Sequence, residues 1–280
     1  MLPSLLIILL ITVYPFISTV WFSFHKMRLN VPEDTWAFIG FKNYIKVLSS
    51  SRFHHSFYIT VVFSLSWVFF QFLFGMGIAL VLNMNFRGRA FVRATVLIPW
   101  AMALVITAIL WQWMYNPVFG VFNALLKSFG LISENINWLE ETEFMTFFSI
   151  LVVELWQHTP FMALILLAGL QGISAELYDA AKIDGANKFN CFIHVTLPNL
   201  KHAMLVALLF RSIDAFRSFD ILYTMTQGGP GRSTEILSLF AYKTMFQYLN
   251  FGKGSTIAVI MAVITTILSI IYIRILSSKD

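Results

Sequence analysis

Charge is scarce in this chain of 280 residues: Asp, Glu, Lys and Arg together make up 12%, where an ordinary soluble domain carries roughly a quarter. A soluble globule of this composition would lack the polar side chains to cover its surface. Cysteine is nearly absent. The single Cys191 excludes an internal disulfide and a cysteine-held metal cluster. No basic residue precedes Lys26, so the N-terminal apolar run lacks the positive leader of a signal peptide and is expected to be a retained membrane span. The basic residues are scattered, without the clustered patch of a nucleic-acid binder. Gly252-Lys253-Gly254-Ser255 lacks the glycine and strand that should precede a nucleotide-binding P-loop. His25, His54 and His55 are not at metal-ligand spacing, and no nucleophile–base pair stands out for catalysis.

Apolar side chains are what the chain has in quantity: 58% are hydrophobic and 16% aromatic, which excludes disorder. A helical span needs about 20 mostly apolar residues. Six stretches qualify, approximately Pro3–Phe24, Phe57–Leu82, Ala94–Tyr115, Phe144–Leu170, Leu200–Thr224 and Ser255–Leu276. They are too long and too continuously apolar for barrel strands. In lipid only helices and closed barrels satisfy every backbone group. The sequence therefore predicts an all-α polytopic membrane protein with six transmembrane helices in a single domain, residues 1–280. Lys and Arg are nearly balanced between the two sets of loops. The short loop carrying Arg87, Arg89 and Arg93 favours the cytoplasm for that side, which places both termini there as well.

Between the fourth and fifth spans, the segment 171–199 is amphipathic. Ser174, Ala175 and Glu176 can cap and open a helix running toward Asp184. Ala180 and Ala181 leave a flat surface that another protein can approach closely. Gly185 can end the helix in a left-handed conformation, and Pro198 suits the first turn of the span that follows. Asp179-Ala180-Ala181, then Gly185, then Val195-x-Leu197-Pro198 resembles the EAA loop of permease subunits in binding-protein-dependent ABC importers. Asp stands for the usual Glu, Val for the usual Ile. Phe41-x-Asn43-Tyr44, Pro99-Trp100, Trp111-x-Trp113, Pro117-x-x-Gly120-x-x-Asn123, Ala168-Gly169-Leu170-Gln171, Phe219-Asp220, Thr226-Gln227-Gly228-Gly229-Pro230 and Thr234-Glu235 extend the resemblance over nearly the whole chain, toward permeases for sugars and sugar-like solutes.

That resemblance implies a type I importer (MetI-like) permease fold in the plasma (inner) membrane. It implies a dimer of ATPase subunits carrying ATP and Mg, a second permease and an extracytoplasmic solute-binding protein as partners. No cofactor is expected on this chain, and the chain is expected not to be an enzyme. Residues Asp179, Ala180, Ala181, Asp184, Gly185, Ala186 and Pro198 would form the ATPase-docking turn.

Charges inside spans are costly and ask for a partner or a water-filled path. On the fourth span Glu154, Gln157 and His158 share one helix face, with Trp156 beside them and Pro160 able to kink the helix. Aromatic, amide and carboxylate together can hold a sugar, or they can form an interhelical network. On the fifth span Arg211, Asp214, Arg217 and Asp220 stand three apart and can neutralise one another as a ladder. Asp220, near the outer end, is also a candidate for the solute path. Gly75 and Gly77 are expected to permit close helix packing. The alternative to an ATP-driven importer is an ion-gradient-driven secondary transporter using Glu154 or the fifth-span acids. A membrane enzyme is a third reading, without a recognisable site.

Overall fold

The computed structural model describes residues 9–32 and 36–277, and among these the chain is helical, with a lone antiparallel bridge between His25 and Phe38. The predicted first span, Pro3–Phe24, begins outside the described residues. What is described of it is a short apolar helix, Ile11–Ser23, whose regular part is α1 (Tyr14–Ser23). Then follow α2 (Lys42–Leu48), α3 (Ser51–Asn83), α4 (Arg89–Ala101), α5 (Leu104–Met114) and α6 (Val121–Ser128). The second half has α7 (Glu143–Gln171), α8 (Ala175–Ile183), α9 (Lys188–Cys191), α10 (Leu197–Arg217), α11 (Asp220–Thr226), α12 (Leu237–Tyr242) and α13 (Phe251–Ser277).

Four helices are long and apolar enough to cross a membrane, and α4 with α5 makes a fifth if that bent pair is one span. Six spans are not all present among the described residues. The predicted third span, Ala94–Tyr115, is broken: α4 and α5 meet at 93°. Pro99 lies in the last turn of α4, and its missing N–H and ring stop the helical ladder there. Met102 and Ala103 then run extended. The predicted fifth span, Leu200–Thr224, differs at both ends. Its helix begins at Lys188 and passes through one widened π turn, Phe192–Thr196, into α10. Pro198 is thus inside a continuing helix rather than at its start, and the turn ahead of it is the widened one. Regular helix stops at Arg217 and restarts at Asp220.

The chain divides into two compact units: Met1–Val62 with Arg217–Ile267, and Phe63–Phe216 with Leu268–Asp280. In the second unit α7 is the central helix. Of its most apolar window 61% is buried, against 17% for the corresponding window of α13, so α7 packs against protein where α13 shows its side chains outward. Thr142 caps α7, its Oγ1 accepting the Met145 N–H at 3.1 Å, and the helix runs unbroken through buried Pro160. Gly75 lets α3 approach α7: a Cβ there would meet Met162 Cγ at 2.7 Å. Gly77 opens onto free space, so close packing explains only the first of the pair. Met76, Ala79, Leu82, Met162, Leu166, Leu170, Leu200 and Ala207 close this core.

In the first unit the long loop after α1 is held by a buried amide. Asn43 Nδ2 donates to the carbonyls of Ser23 and His25, both at 2.9 Å. Thr256 Oγ1 donates to the Ser23 carbonyl as well, tying α13 to the end of α1.

Candidate functional site

The segment predicted to dock an ATPase folds as two short helices with defined ends. Ser174 Oγ accepts the Glu176 N–H at 3.3 Å and opens α8. Gly185 takes φ +81°, the left-handed region open to glycine at little cost. The Ala186 N–H then reaches the Ala181 carbonyl at 2.9 Å and the Gly185 N–H the Lys182 carbonyl at 3.0 Å. That pair of bonds is a Schellman motif, which satisfies the last carbonyls of a helix. Asn187 Oδ1 opens α9 by accepting the Asn190 N–H at 2.8 Å.

The faces of this turn are open. Asp179, Ala180, Asp184, Gly185 and Pro198 are exposed, and Ala181 and Ala186 are half-buried. Ile183 is 87% exposed and Phe189 68%, an expense in water that a partner surface would remove. Asp179 pairs with Lys182 one turn on, at 2.9 Å. That bond and the attraction of the carboxylate raise the Lys182 pKa above its ordinary value.

The polar face of α7 is brought into a connected cluster inside the second unit. Glu154 is fully buried and its Oε2 accepts from Arg211 Nη2 at 2.9 Å. Arg211 Nε donates to Gln71 Oε1, and Gln71 Nε2 donates to the Glu154 backbone carbonyl at 3.1 Å. Three helices, α3, α7 and α10, are thereby tied by one carboxylate, one guanidinium and one amide. His158 Nδ1 lies 2.8 Å from Glu154 Oε2 but outside the alignment of a hydrogen bond.

The ladder expected on the fifth span does not form. Arg211 turns to Glu154, and Asp214, Arg217 and Asp220 make no ion pair among the described residues. Asp214 and Arg217 point to exposed surface, while Asp220 is half-buried at the first position of α11.

Gln157 is 1% exposed. Its Nε2 donates to the Met102 carbonyl at 3.0 Å and its Oε1 accepts from Thr107 Oγ1 at 2.7 Å. Gln157 therefore occupies the break between α4 and α5 and satisfies a carbonyl that the break leaves without a helical donor. Trp156 keeps 37% of its surface exposed and meets Trp111 edge-on, centroids 5.7 Å apart. Trp111 leads on to Tyr115, Phe122 and Trp138.

A second buried carboxylate went unread as a site residue. Glu235, in the turn-rich segment before α12, accepts from Arg52 Nε at 2.8 Å and Nη2 at 2.7 Å, with Lys243 Nζ at 3.2 Å. The Arg52 guanidinium also lies over the rings of Phe240 and Tyr248. Burial pushes the Glu235 carboxyl up, but the bonds and charges of Arg52 and Lys243 outweigh it and hold the pKa below the ordinary value. Gln71 was missed too, although a lone amide in the run Phe69-Phe70-Gln71-Phe72 is itself a signal in a span.

Residues 71–278 match the family described as binding-protein-dependent transport system inner membrane component. The chain is 42% identical over 277 residues to the trehalose/maltose transport system permease protein MalF of Thermococcus litoralis, covering 98% of this chain and 91% of that one. It is 37% identical to the sulfoquinovosyl glycerol transport system permease protein SmoG of Agrobacterium fabrum, with 99% and 89% covered. Among solved structures, a bacterial ABC transporter that imports the acidic polysaccharide alginate has a chain alike at TM-score 0.85 and 20% identity, with 100% and 94% covered. That likeness fixes the fold as the type I importer permease fold. By sequence and by fold, this chain belongs to the binding-protein-dependent inner-membrane permeases, transport components whose ATP hydrolysis takes place on a separate subunit.

Proposed function

We propose that this permease imports a sugar of the trehalose or maltose kind, accepting it from an extracytoplasmic binding protein. The observation that carries the reading is the 42% identity across 98% of the chain to a trehalose/maltose permease. Dependence on a binding protein, the property that names the family, sets aside an ion-gradient carrier.

The turn around Gly185 is the docking element for an ATPase dimer that holds ATP and Mg. Closure of the dimer moves α8 and α9, and the spans alternate between inward-open and outward-open states. A second permease completes the pathway. Both termini and the loops containing Arg89 and Gly185 face the cytoplasm. Glu154 and Gln157 are committed to helix–helix bonds, which supports Trp156 and His158 as the groups of that face that meet solute, while Asp220, in the first unit, is a separate candidate for the solute path. Each of these three keeps accessible surface.

The test is uptake by the complete complex in proteoliposomes, with binding protein and labelled trehalose or maltose outside. ATP-dependent accumulation of either sugar is the expected result. Accumulation driven by an ion gradient without ATP would defeat the reading.

A further inference from the structure

In the first unit, a cavity of about 300 Å³ is lined by Lys26, Arg28, Lys42, Asn43, Lys46, Asn250 and Lys253, with Ile39. A second cavity of about 270 Å³ shares Lys46, Asn250 and Lys253 with it. Five cationic side chains thus converge, and none of them makes an ion pair among the described residues. Lys253 is repelled by Arg28 and Lys46. Like charges held this close repel one another, and an anion in the cavity would offset that repulsion.

The position says what kind of anion. Lys26 and Arg28 follow the apolar helix Ile11–Ser23, Lys46 precedes α3, and Lys253 is in the first turn of α13. Three apolar helices therefore end around the cavity, at one face of the membrane. The seven-residue α2 between them is three-sided. Lys42 and Lys46 line the cavity, Asn43 and Val47 are buried, and Phe41, Ile45 and Leu48 are exposed at 67%, 67% and 46%. An apolar face beside a basic face is the pattern of a helix lying in the headgroup layer.

We propose that this cavity binds the phosphate of an anionic phospholipid, whose acyl chains lie along Phe41, Ile45 and Leu48. The lipid neutralises the crowded cations and pins α2 to the ends of the spans. A small soluble anion would satisfy the charges but leave the apolar face of α2 bare.

The experiment is native mass spectrometry of the intact transport complex released from bilayers of equal phosphatidylglycerol and phosphatidylcholine. A cation near an anionic membrane surface gains roughly fivefold, so with two or more of the five engaged the wild type should retain phosphatidylglycerol at least about tenfold over phosphatidylcholine. Lys42→Gln/Lys46→Gln, both on exposed side chains, should remove most of that preference, and adding Lys253→Gln should abolish it. Unchanged selectivity in the triple variant would overturn the proposal. So would thermal stabilisation by inorganic phosphate equal to that by phosphatidylglycerol, which would identify a free-anion site. Intact lipid selectivity together with weakened affinity for the binding protein would overturn it in favour of an acidic protein surface.

Discussion

Arg211 and Glu154, 57 positions apart in sequence, form an ion pair of 2.9 Å with side chains 3% and 0% exposed. Removing one member of such a pair leaves the other charge buried and alone, which typically costs about 3–5 kcal/mol. Arg211→Met should therefore reduce the stability of the purified complex by that order. Arg211→Met with Glu154→Gln should recover much of it. Equal stability of the single and double variants in thermal unfolding would show that the two charges do not depend on each other.

Gln157 tests whether the polar face of α7 holds solute or holds helices. Gln157→Ala strands the Met102 carbonyl and the Thr107 hydroxyl, and each buried group left unmade costs about 1–3 kcal/mol. Stability should fall while the ratio of trehalose to maltose uptake stays as in wild type. Trp156→Ala and His158→Ala should do the reverse, raising the KM for sugar with little change in melting temperature. A solute-specific defect confined to Gln157→Ala would reverse the assignment.

At Gly185 the prediction concerns backbone. A branched side chain at φ +81° carries a left-handed penalty of about 1–2 kcal/mol and opens the Schellman turn. Gly185→Val should lower ATPase co-purification and ATP-dependent uptake together, while the spans remain inserted. Asp179→Lys should act on the same two readouts by reversing a charge on the exposed face. Wild-type co-purification in both variants would remove this turn from the docking surface.

Glu235 predicts an acid-sensitive step. Its folded pKa lies below the ordinary 4.5, so its stabilising contribution is complete above about pH 4.5 and is lost as pH falls through the folded value. Melting temperature between pH 3 and 7 should therefore drop on acidification in the wild type. Glu235→Gln, already neutral, should start lower at pH 7 and fall less steeply. Parallel curves for the two proteins would assign the acid sensitivity to other carboxylates.

The ends of the turn around Gly185 were legible because their causes are local. Ser174 as a cap and Gly185 as a left-handed stop act through bonds within a few residues. The apolar helices were legible for the same reason, since length and composition suffice. What could not be read is decided by distant partners. The i,i+3 spacing of Arg211 and Asp214 favours a ladder on one helix, yet Glu154 on α7 and Gln71 on α3 offer Arg211 a drier and better-bonded place. Pro99 was visible inside the third span, but prolines are tolerated in membrane helices. The full break at Met102 is accommodated by Gln157, 55 positions later. Glu235 sat in a turn-rich segment whose partner Arg52 is 183 positions away.

The helix that begins at Lys188 continues through the widened turn at Phe192–Thr196 to Arg217. At 1.5 Å of rise per residue that is a rod of roughly 45 Å, so a 5° tilt displaces its far end by about 4 Å. The rod has one end beside Gly185 and carries Arg211 in its last two turns, bonded to α3 and α7. A small rotation at the exposed turn would therefore become a displacement of about 3–4 Å at the buried guanidinium. A tilt of the rod would strain the Arg211–Glu154 bond near its far end together with the Thr196–Tyr178 contact near its start.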